Sequence, residues 1–236
     1  MTVHTDTPPD GWAWPEEERE LIEVQQRLVL AAQHAVLWQP PDDRDLRVAA
    51  FFIGHARGLH GPGDRGDPAW VGAAGFDGNR LVASAVTRGE AGWPYIPGLL
   101  ALREGRLLAG GLESLKWHAD LLLVNATGAD HPRRSGLALH LGAAAGLPSV
   151  GVTDRPLISQ GAEPGPRRGD SEPLVVEDEV VGYRLRTRAG VRPICVHAAW
   201  RTTPELARDA VLRLCRGSRT PEPLRHARRL ARQSRA

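Results

Sequence analysis

The sequence is poor in cysteine, lysine and asparagine, with two, one and two of them among 236 residues. Two cysteines, Cys195 and Cys215, are typical of a reducing cytoplasm, and we predict that both are buried packing residues. No apolar run approaches the ~20 residues that cross a bilayer. Residues 1–20 lack the basic and apolar regions of a secretory signal. We therefore expect a cytoplasmic protein with no membrane partner.

The charge is balanced overall and divided along the chain. The net charge is +2, but residues 1–45 carry ten acids against three arginines, whereas residues 201–236 carry ten arginines against three acids. Because nearly every basic residue is arginine, arginine counts are weak evidence of function. A basic C-terminal tail, residues 221–236, could bind phosphates by releasing counterions. It could equally be a solvated helix that ends in a frayed terminus.

The pattern of apolar residues predicts one α/β domain over residues 16–220, with a mixed central sheet flanked by helices. Residues 1–15, which contain three prolines, are predicted to be a disordered lead-in. Helical spacing predicts helices at 16–36, 99–116, 137–145 and 203–216. Short apolar runs predict strands at 48–53, 69–76, 81–86, 120–124, 149–152, 174–176, 180–186 and 193–197. The segment 160–171 is rich in Gly, Pro and Arg, so we expect a mobile loop there.

Four short blocks in the middle of the chain resemble the signature blocks of endonuclease V, a family that cleaves DNA or RNA beside inosine. The blocks are Pro94-Tyr95-Ile96-Pro97-Gly98, Arg103-Glu104, Asn125-Ala126-Thr127-Gly128, and His131-Pro132-Arg133-Arg134 with Gly136, Ala138, His140 and Gly142. The resemblance lies in their order and spacing and covers about residues 46–231. It implies a ribonuclease H-like fold, which the periodicity alone does not specify.

The resemblance also implies roles for these residues. The rigid loop Pro94–Gly98 would be a wedge that enters a duplex beside the damaged base, as unstacking a base requires. The wedge and the base pocket would consist of Pro94, Tyr95, Ile96, Pro97, Gly98, Ala126 and Gly128. His131, Arg133 and Arg134 would lie at the rim and bind phosphates.

The positions that correspond to the family's catalytic residues are mostly altered. Glu104 matches the family glutamate, but Phe52 and Asn125 replace two aspartates that hold Mg²⁺. Asp154 replaces a lysine and Trp200 replaces a histidine. Phenylalanine cannot ligate a cation, and a neutral amide binds Mg²⁺ more weakly than a carboxylate does. The resemblance therefore predicts impaired metal-dependent cleavage, with no cofactor expected.

Several hypotheses remain open from the sequence. The leading one is a protein that binds inosine-containing DNA or RNA through a retained purine pocket, with a role in DNA repair and no cleavage. A second is an enzyme that acts on a free purine nucleoside or related metabolite, with Glu104 and Asp154 as acid and base. A third is an interaction module whose former cleft Phe52 and Trp200 fill.

The remaining alternatives concern single residues. Glu104, Asn125 and Asp154 could form a rebuilt Mg²⁺ site that supports weak nicking, or Asp154 could pair with Arg155 or Arg103 as an ordinary surface acid. Cys195 and His197 share a strand face, but buried packing is a better interpretation than nucleophilic chemistry because the sequence offers no evident orienting acid.

Overall fold

The computed structural model describes residues 12, 14–56, 58–59 and 61–235. It contains five helices, α1 Glu18–His34, α2 Leu100–Leu115, α3 Leu137–Ala145, α4 Pro204–Leu214 and α5 Glu222–Ser234. The eight strands are β1 Arg47–His55, β2 Pro68–Asp77, β3 Arg80–Glu90, β4 Leu121–Val124, β5 Ser149–Thr153, β6 Ser171–Val176, β7 Glu179–Leu185 and β8 Ile194–Ala198. None of the helices in the described part of the chain is long and apolar enough to span a membrane.

The strands form one mixed sheet in the order β3-β2-β1-β4-β5-β8-β7-β6. Strands β1, β4 and β5 run parallel at its centre, and the remaining neighbours are antiparallel. The register aligns Phe51 with Val124, and Val124 with Gly151. The residues that follow each of these three positions therefore lie together at one edge of the sheet, where ligands of open α/β sheets bind.

Both faces of the sheet are covered, which explains why its central strands read as continuous apolar runs. All four residues of β4 are at most 1% exposed. One apolar cluster joins the sheet to α1, α2 and α3, a second joins it to α4 and α5, and a smaller third cluster lies on β6, β7 and β8. The predicted mixed α/β architecture is confirmed.

The C-terminal segment is an integral helix, so the prediction of a separate basic tail is wrong. Helix α5 lies directly on β1 and β2, and Ala227 and Ala231 are fully buried there. A Cβ atom at Gly72 would lie 2.0 Å from the carbonyl oxygen of Ala227, which only glycine avoids. This close contact fixes where the α5 arginines lie relative to the end of β1.

Two other segments are more closely attached than predicted. Most of the predicted lead-in lies outside the described residues, but the Trp14 ring stacks on His140 with centroids 4.2 Å apart. In the segment predicted as a mobile loop, the Arg186 guanidinium donates to the carbonyl oxygens of Gly165 at 3.0 Å and Pro164 at 2.8 Å. These bonds hold the loop against the β6–β7 hairpin.

Candidate functional site

A cavity of about 460 Å³ opens at the carboxyl edge of the parallel strands. Its size is within the range of small-molecule sites. We call it the base cavity; its walls include Gln25, Ile53, Tyr95, Pro97, Gly98, Glu104, Asn125, Ala126, Thr127, His131, Thr153, Arg155, Pro156 and Leu157. Gly98 and Ala126 line it, and their role in a base pocket stays a prediction. Gly128 does not, because it packs behind the cavity, where an added Cβ would lie 2.0 Å from the Ala198 carbonyl oxygen.

The predicted wedge stands at the mouth of this cavity. Tyr95 and Ile96 at its tip are 46% and 36% exposed, although both are large apolar side chains. Gly98 ends the loop with φ of +84°, which glycine adopts readily. The ring of each proline in the loop fixes its own φ near about −65°. The loop therefore presents an aromatic ring and an aliphatic side chain to solvent on a rigid support.

A cluster of buried donors holds the base of the wedge. The Gly98 carbonyl oxygen accepts hydrogen bonds from Arg133 Nη2 at 2.7 Å, His131 Nε2 at 3.1 Å and Gln25 Nε2 at 3.3 Å. Arg133 Nε also donates to Gln25 Oε1 at 2.6 Å. Both His131 and Arg133 are thus engaged in positioning the wedge, and their binding of phosphates stays a prediction.

The hydrogen bonds of His131 define its protonation. Its Nδ1 accepts from the backbone N–H of Arg133 at 3.1 Å, so Nε2 carries the proton donated to Gly98. Burial lowers the pKa of His131 to about 4, with a further contribution from the Arg133 charge. His131 is thus a neutral imidazole at physiological pH.

Arg134, the third predicted phosphate ligand, is turned towards the β6–β7 hairpin. Its guanidinium donates to the Val176 carbonyl oxygen at 2.7 Å and lies 3.2 Å from the Glu179 carboxylate. Its φ of +55° is a strained backbone conformation for a non-glycine residue. These contacts anchor the β6–β7 hairpin, and phosphate binding by Arg134 stays a prediction.

Phe52, Glu104 and Asn125 lie where three cavities meet. A cavity of about 120 Å³ is lined by Phe52 and Asn125, and one of about 370 Å³ by Phe52 and Glu104. Glu104 and Asn125 also line the base cavity. The structure thus brings these three predicted positions to one place on the sheet edge.

Each of these three residues already has a partner within the protein. Glu104 Oε1 lies 2.8 Å from His55 Nε2, and Asn125 Nδ2 donates to the Val152 carbonyl oxygen at 2.9 Å. The Phe52 ring is covered by the guanidinium of Arg228, 5.4 Å from its centroid. A carboxylate, an amide and an aromatic ring are a poor donor set for Mg²⁺, which prefers several oxygen ligands.

Asp154 lines the 120 Å³ cavity together with Asn125, but it shares no cavity with Glu104. Its carboxylate lies 2.6 Å from Arg219 Nη1, and this pairing holds the Asp154 pKa below its ordinary value although burial opposes the shift. Asp154 therefore forms an ion pair, as the alternative hypothesis predicts, but its partner is Arg219 and neither Arg155 nor Arg103. Within the described residues, no three His, Cys, Asp or Glu side chains are grouped as a metal site requires.

Trp200 lies far from the position that the resemblance implies. The antiparallel register pairs Val150 with Ala198, so Trp200 follows at the amino end of β5, whereas Asp154 follows its carboxyl end. The Trp200 ring packs edge-on against Trp12, with centroids 6.5 Å apart. Trp200 therefore neither fills nor lines the base cavity.

A buried polar chain lies behind the cavity wall. His197 is fully buried, with Nε2 at 2.8 Å from Thr153 Oγ1 and Nδ1 at 3.5 Å from Asp130 Oδ2. Asp130 is thus the acid beside His197 that is not evident from the sequence. Burial lowers the His197 pKa to about 4 despite the charge of Asp130.

The predicted packing role of both cysteines is confirmed, since each is free and buried. Burial raises the pKa of Cys195 to about 11 and that of Cys215 to about 12. Neither thiol therefore has the thiolate character that nucleophilic chemistry needs.

Some residues of the site are missed by sequence reasoning. Gln25 is only 2% exposed and stands beside Val24 on the buried face of α1. A lone amide on an apolar helical face is a signal that could have identified it. Arg228, Thr153 and Asp130 give no such signal, because their roles depend on contacts between distant segments.

Three antiparallel strands followed by parallel strands, with a cavity at their carboxyl edge, define a ribonuclease H-like protein. A sequence profile of the Endonuclease V family matches residues 67–229. The chain belongs to the endonuclease V family.

Individual relatives support this assignment over nearly the whole chain. Endonuclease V of Methanopyrus kandleri is 38% identical over 224 residues, covering 94% of this chain and 91% of that protein. The crystal structure of endonuclease V from Streptomyces avermitilis has a TM-score of 0.81 and 33% identity, with 94% of each chain covered. Ciona intestinalis endonuclease V, crystallised with a 24mer DNA containing an inosine followed by a ribo-adenosine, shares the fold at 20% identity, with a TM-score of 0.71 and 93% and 98% of the two chains covered.

Proposed function

We propose that this protein binds inosine-containing DNA or RNA by placing the base in the base cavity, and that it has lost the family's metal-dependent cleavage. The proposal rests on two features that occur together at one edge of the sheet. An open cavity with an exposed wedge is retained there, while the residues at the metal positions are replaced or paired internally.

The binding half of the proposal rests on the cavity and the wedge. A cavity of about 460 Å³ accommodates a purine, and backbone groups of Gly98 and Ala126 line it beside the His131 imidazole. A strand held by the wedge would have its flipped base next to these groups. The DNA bound by the Ciona relative suggests inosine as the base to test first.

The loss of cleavage rests on the chemistry of the replacements. Two-metal or one-metal hydrolysis needs carboxylates that hold the cation and stabilise the attacking and leaving oxygens. Here Phe52 offers no ligand, Asn125 uses its amide nitrogen on Val152, and the Glu104 carboxylate faces His55. The residues do not fit a divalent ion, so no cleavage step is assigned to one.

The alternatives that rely on Asp154 receive less support. Asp154 lines the 120 Å³ cavity and Glu104 lines the base cavity and the 370 Å³ cavity, so the two carboxylates do not share a wall. An acid and base acting on one purine nucleoside would have to reach the same ligand. A Mg²⁺ site built from Glu104, Asn125 and Asp154 would need both carboxylates on one ion, whereas Glu104 faces His55 and Asp154 pairs with Arg219.

Replacing Tyr95 with alanine is expected to weaken oligonucleotide binding by about tenfold, because stacking a base on an aromatic ring contributes about 1–3 kcal/mol. The matched control is Tyr95→Phe, which keeps the ring and should bind like the unmodified protein. Fluorescence anisotropy with single-stranded oligonucleotides that differ only in inosine or adenine measures both effects.

Two results would count against the proposal. One is equal, weak and salt-sensitive binding of the unmodified protein to the inosine and adenine oligonucleotides. The other is thermal stabilisation by small purines without any affinity for oligonucleotides, which would favour the metabolite enzyme. If Tyr95→Ala binds as well as Tyr95→Phe, the loop is not a wedge.

A further inference from the structure

One face of α5 carries three arginines towards the cavities at the sheet edge. Arg228, Arg232 and Arg235 are four and three residues apart, which places them on one side of a helix. Arg228 lines the 120 Å³ cavity, and Arg232 and Arg235 line the 370 Å³ cavity. We call these three residues the arginine face. It lies on both sides of Phe52, which lines both cavities.

The arginine face is not neutralised by the acids around it. The two carboxylates that line these cavities are already paired, Asp154 with Arg219 at 2.6 Å and Glu104 with His55 at 2.8 Å. Among the described residues, no carboxylate lies within 4.0 Å of a guanidinium of the arginine face. The cavities therefore carry a surplus of positive charge.

The three side chains are only partly engaged within the protein. Arg235 Nη1 donates to the His55 carbonyl oxygen at 3.0 Å, whereas Nε of Arg228 and Nε of Arg235 have no hydrogen-bond partner among the described residues. Burial and repulsion by Arg228 lower the pKa of Arg232. Like charges held together without an acid destabilise the protein unless an anion binds between them.

The surplus charge adjoins the base cavity. Glu104 and Tyr95 line both the base cavity and the 370 Å³ cavity, and Asn125 and Thr153 line both the base cavity and the 120 Å³ cavity. A nucleotide whose base entered the base cavity would therefore direct its phosphates towards the arginine face. Guanidinium groups bind phosphate oxygens through paired N–H donors.

We propose that the arginine face binds the backbone phosphates of the nucleic-acid strand, so that guanidinium groups supply the positive charge at this edge and binding needs no divalent cation. This inference rests on the proposed function. The seven steps from Arg228 to Arg235 rise about 10 Å along the helix direction, enough for more than one phosphate, which favours a strand over a mononucleotide.

The test measures oligonucleotide affinity in EDTA over a series of salt concentrations for the double variant Arg228→Gln/Arg232→Gln. The expected result is a loss of about tenfold or more in affinity, equal for inosine and adenine oligonucleotides. The slope of log K against log salt should fall by about one for each phosphate contact removed. Thermal unfolding of each variant shows whether it is folded.

The matched control is Arg225→Gln/Arg229→Gln, which removes the same charge from the exposed side of α5. We expect its affinity to fall less than threefold and its salt slope to stay unchanged. Equal losses in both double variants would mean that only the overall charge matters and would overturn the inference. So would unchanged binding by Arg228→Gln/Arg232→Gln.

Two further arms separate the remaining explanations. If inosine monophosphate loses as much affinity as the oligonucleotide in Arg228→Gln/Arg232→Gln, the site takes a single nucleotide and the strand proposal is wrong. If EDTA abolishes binding by the unmodified protein, binding needs a divalent cation, and the proposal that guanidinium groups supply the positive charge instead is wrong. If the unmodified protein binds no oligonucleotide with or without Mg²⁺, the proposed function itself fails.

Discussion

Replacing Asp130 with alanine is expected to lower the free energy of unfolding by about 3–5 kcal/mol, because each buried donor that loses its acceptor costs about 1–3 kcal/mol. The Asp130 carboxylate is fully buried and accepts three backbone hydrogen bonds, from Leu157, Ile158 and Ser159, at 2.8–3.0 Å. Alanine would leave these three backbone donors without their acceptor. Denaturant unfolding followed by circular dichroism measures the loss.

The control for this variant is Asp209→Ala. Asp209 is an acid of α4 whose side chain is 56% exposed and pairs with Arg208 at 2.8 Å. Exposed ion pairs contribute about 0–1 kcal/mol, so this variant should remain close to the unmodified protein. A loss below about 1 kcal/mol for Asp130→Ala would contradict the role assigned to the buried chain.

Because Leu157 lines the base cavity, the folded fraction of Asp130→Ala should also bind oligonucleotides more weakly.

Lowering the pH from 6.5 to 4 is expected to destabilise the protein by about 3 kcal/mol for each of His131 and His197. In the unfolded chain both imidazoles take up a proton below their ordinary pKa of 6.5. In the folded protein burial lowers both pKa values to about 4, so the folded state binds fewer protons throughout this window. Stability must therefore rise with pH between 4 and 6.5.

Carboxylates with lowered pKa values act in a different window. The pKa of Asp130 is held below its ordinary value of 3.8, so its contribution is present above that pH and is lost as the pH falls further. The histidine effect can thus be measured above pH 4 by denaturant unfolding at successive pH values. His131→Gln should remove about half of the slope. A free energy of unfolding that stays constant between pH 6.5 and 4.5 would contradict the assignment of neutral buried histidines.

The elements that the sequence predicts well are those whose local pattern agrees with their packing. Helix α3 has the predicted bounds, Leu137–Ala145, since its residues are apolar apart from His140 and Gly146 ends it with φ of +65°. Strand β4 differs from its prediction by one residue, because a strand buried on both faces has an uninterrupted apolar run. Strand β3 continues to Glu90, four residues past its prediction, because the polar residues of this edge strand conceal it.

The candidate site is predicted in its location but not in its contacts. Phe52, Glu104 and Asn125 lie at one edge of the sheet, as their motif spacing indicates, and Tyr95 and Ile96 of the Pro94–Gly98 loop are exposed. The partners of Gly98 come from α1 and from residues 131–133, which are 73 and 33–35 residues away. Local sequence does not show which distant donor reaches the Gly98 carbonyl oxygen. The sequence around Arg133 is therefore equally compatible with binding a phosphate and with supporting the wedge.

Incubation with a labelled inosine oligonucleotide, with and without Mg²⁺ or Mn²⁺, tests the central claim most directly when nicking and gel shift are scored together. We expect a gel shift of the oligonucleotide in every condition, including EDTA, and no nicked product with either metal. Metal-dependent nicking that disappears in Glu104→Ala would contradict it, because Glu104 would then belong to a working metal site. Absence of both shift and nicking would contradict the binding half of the claim.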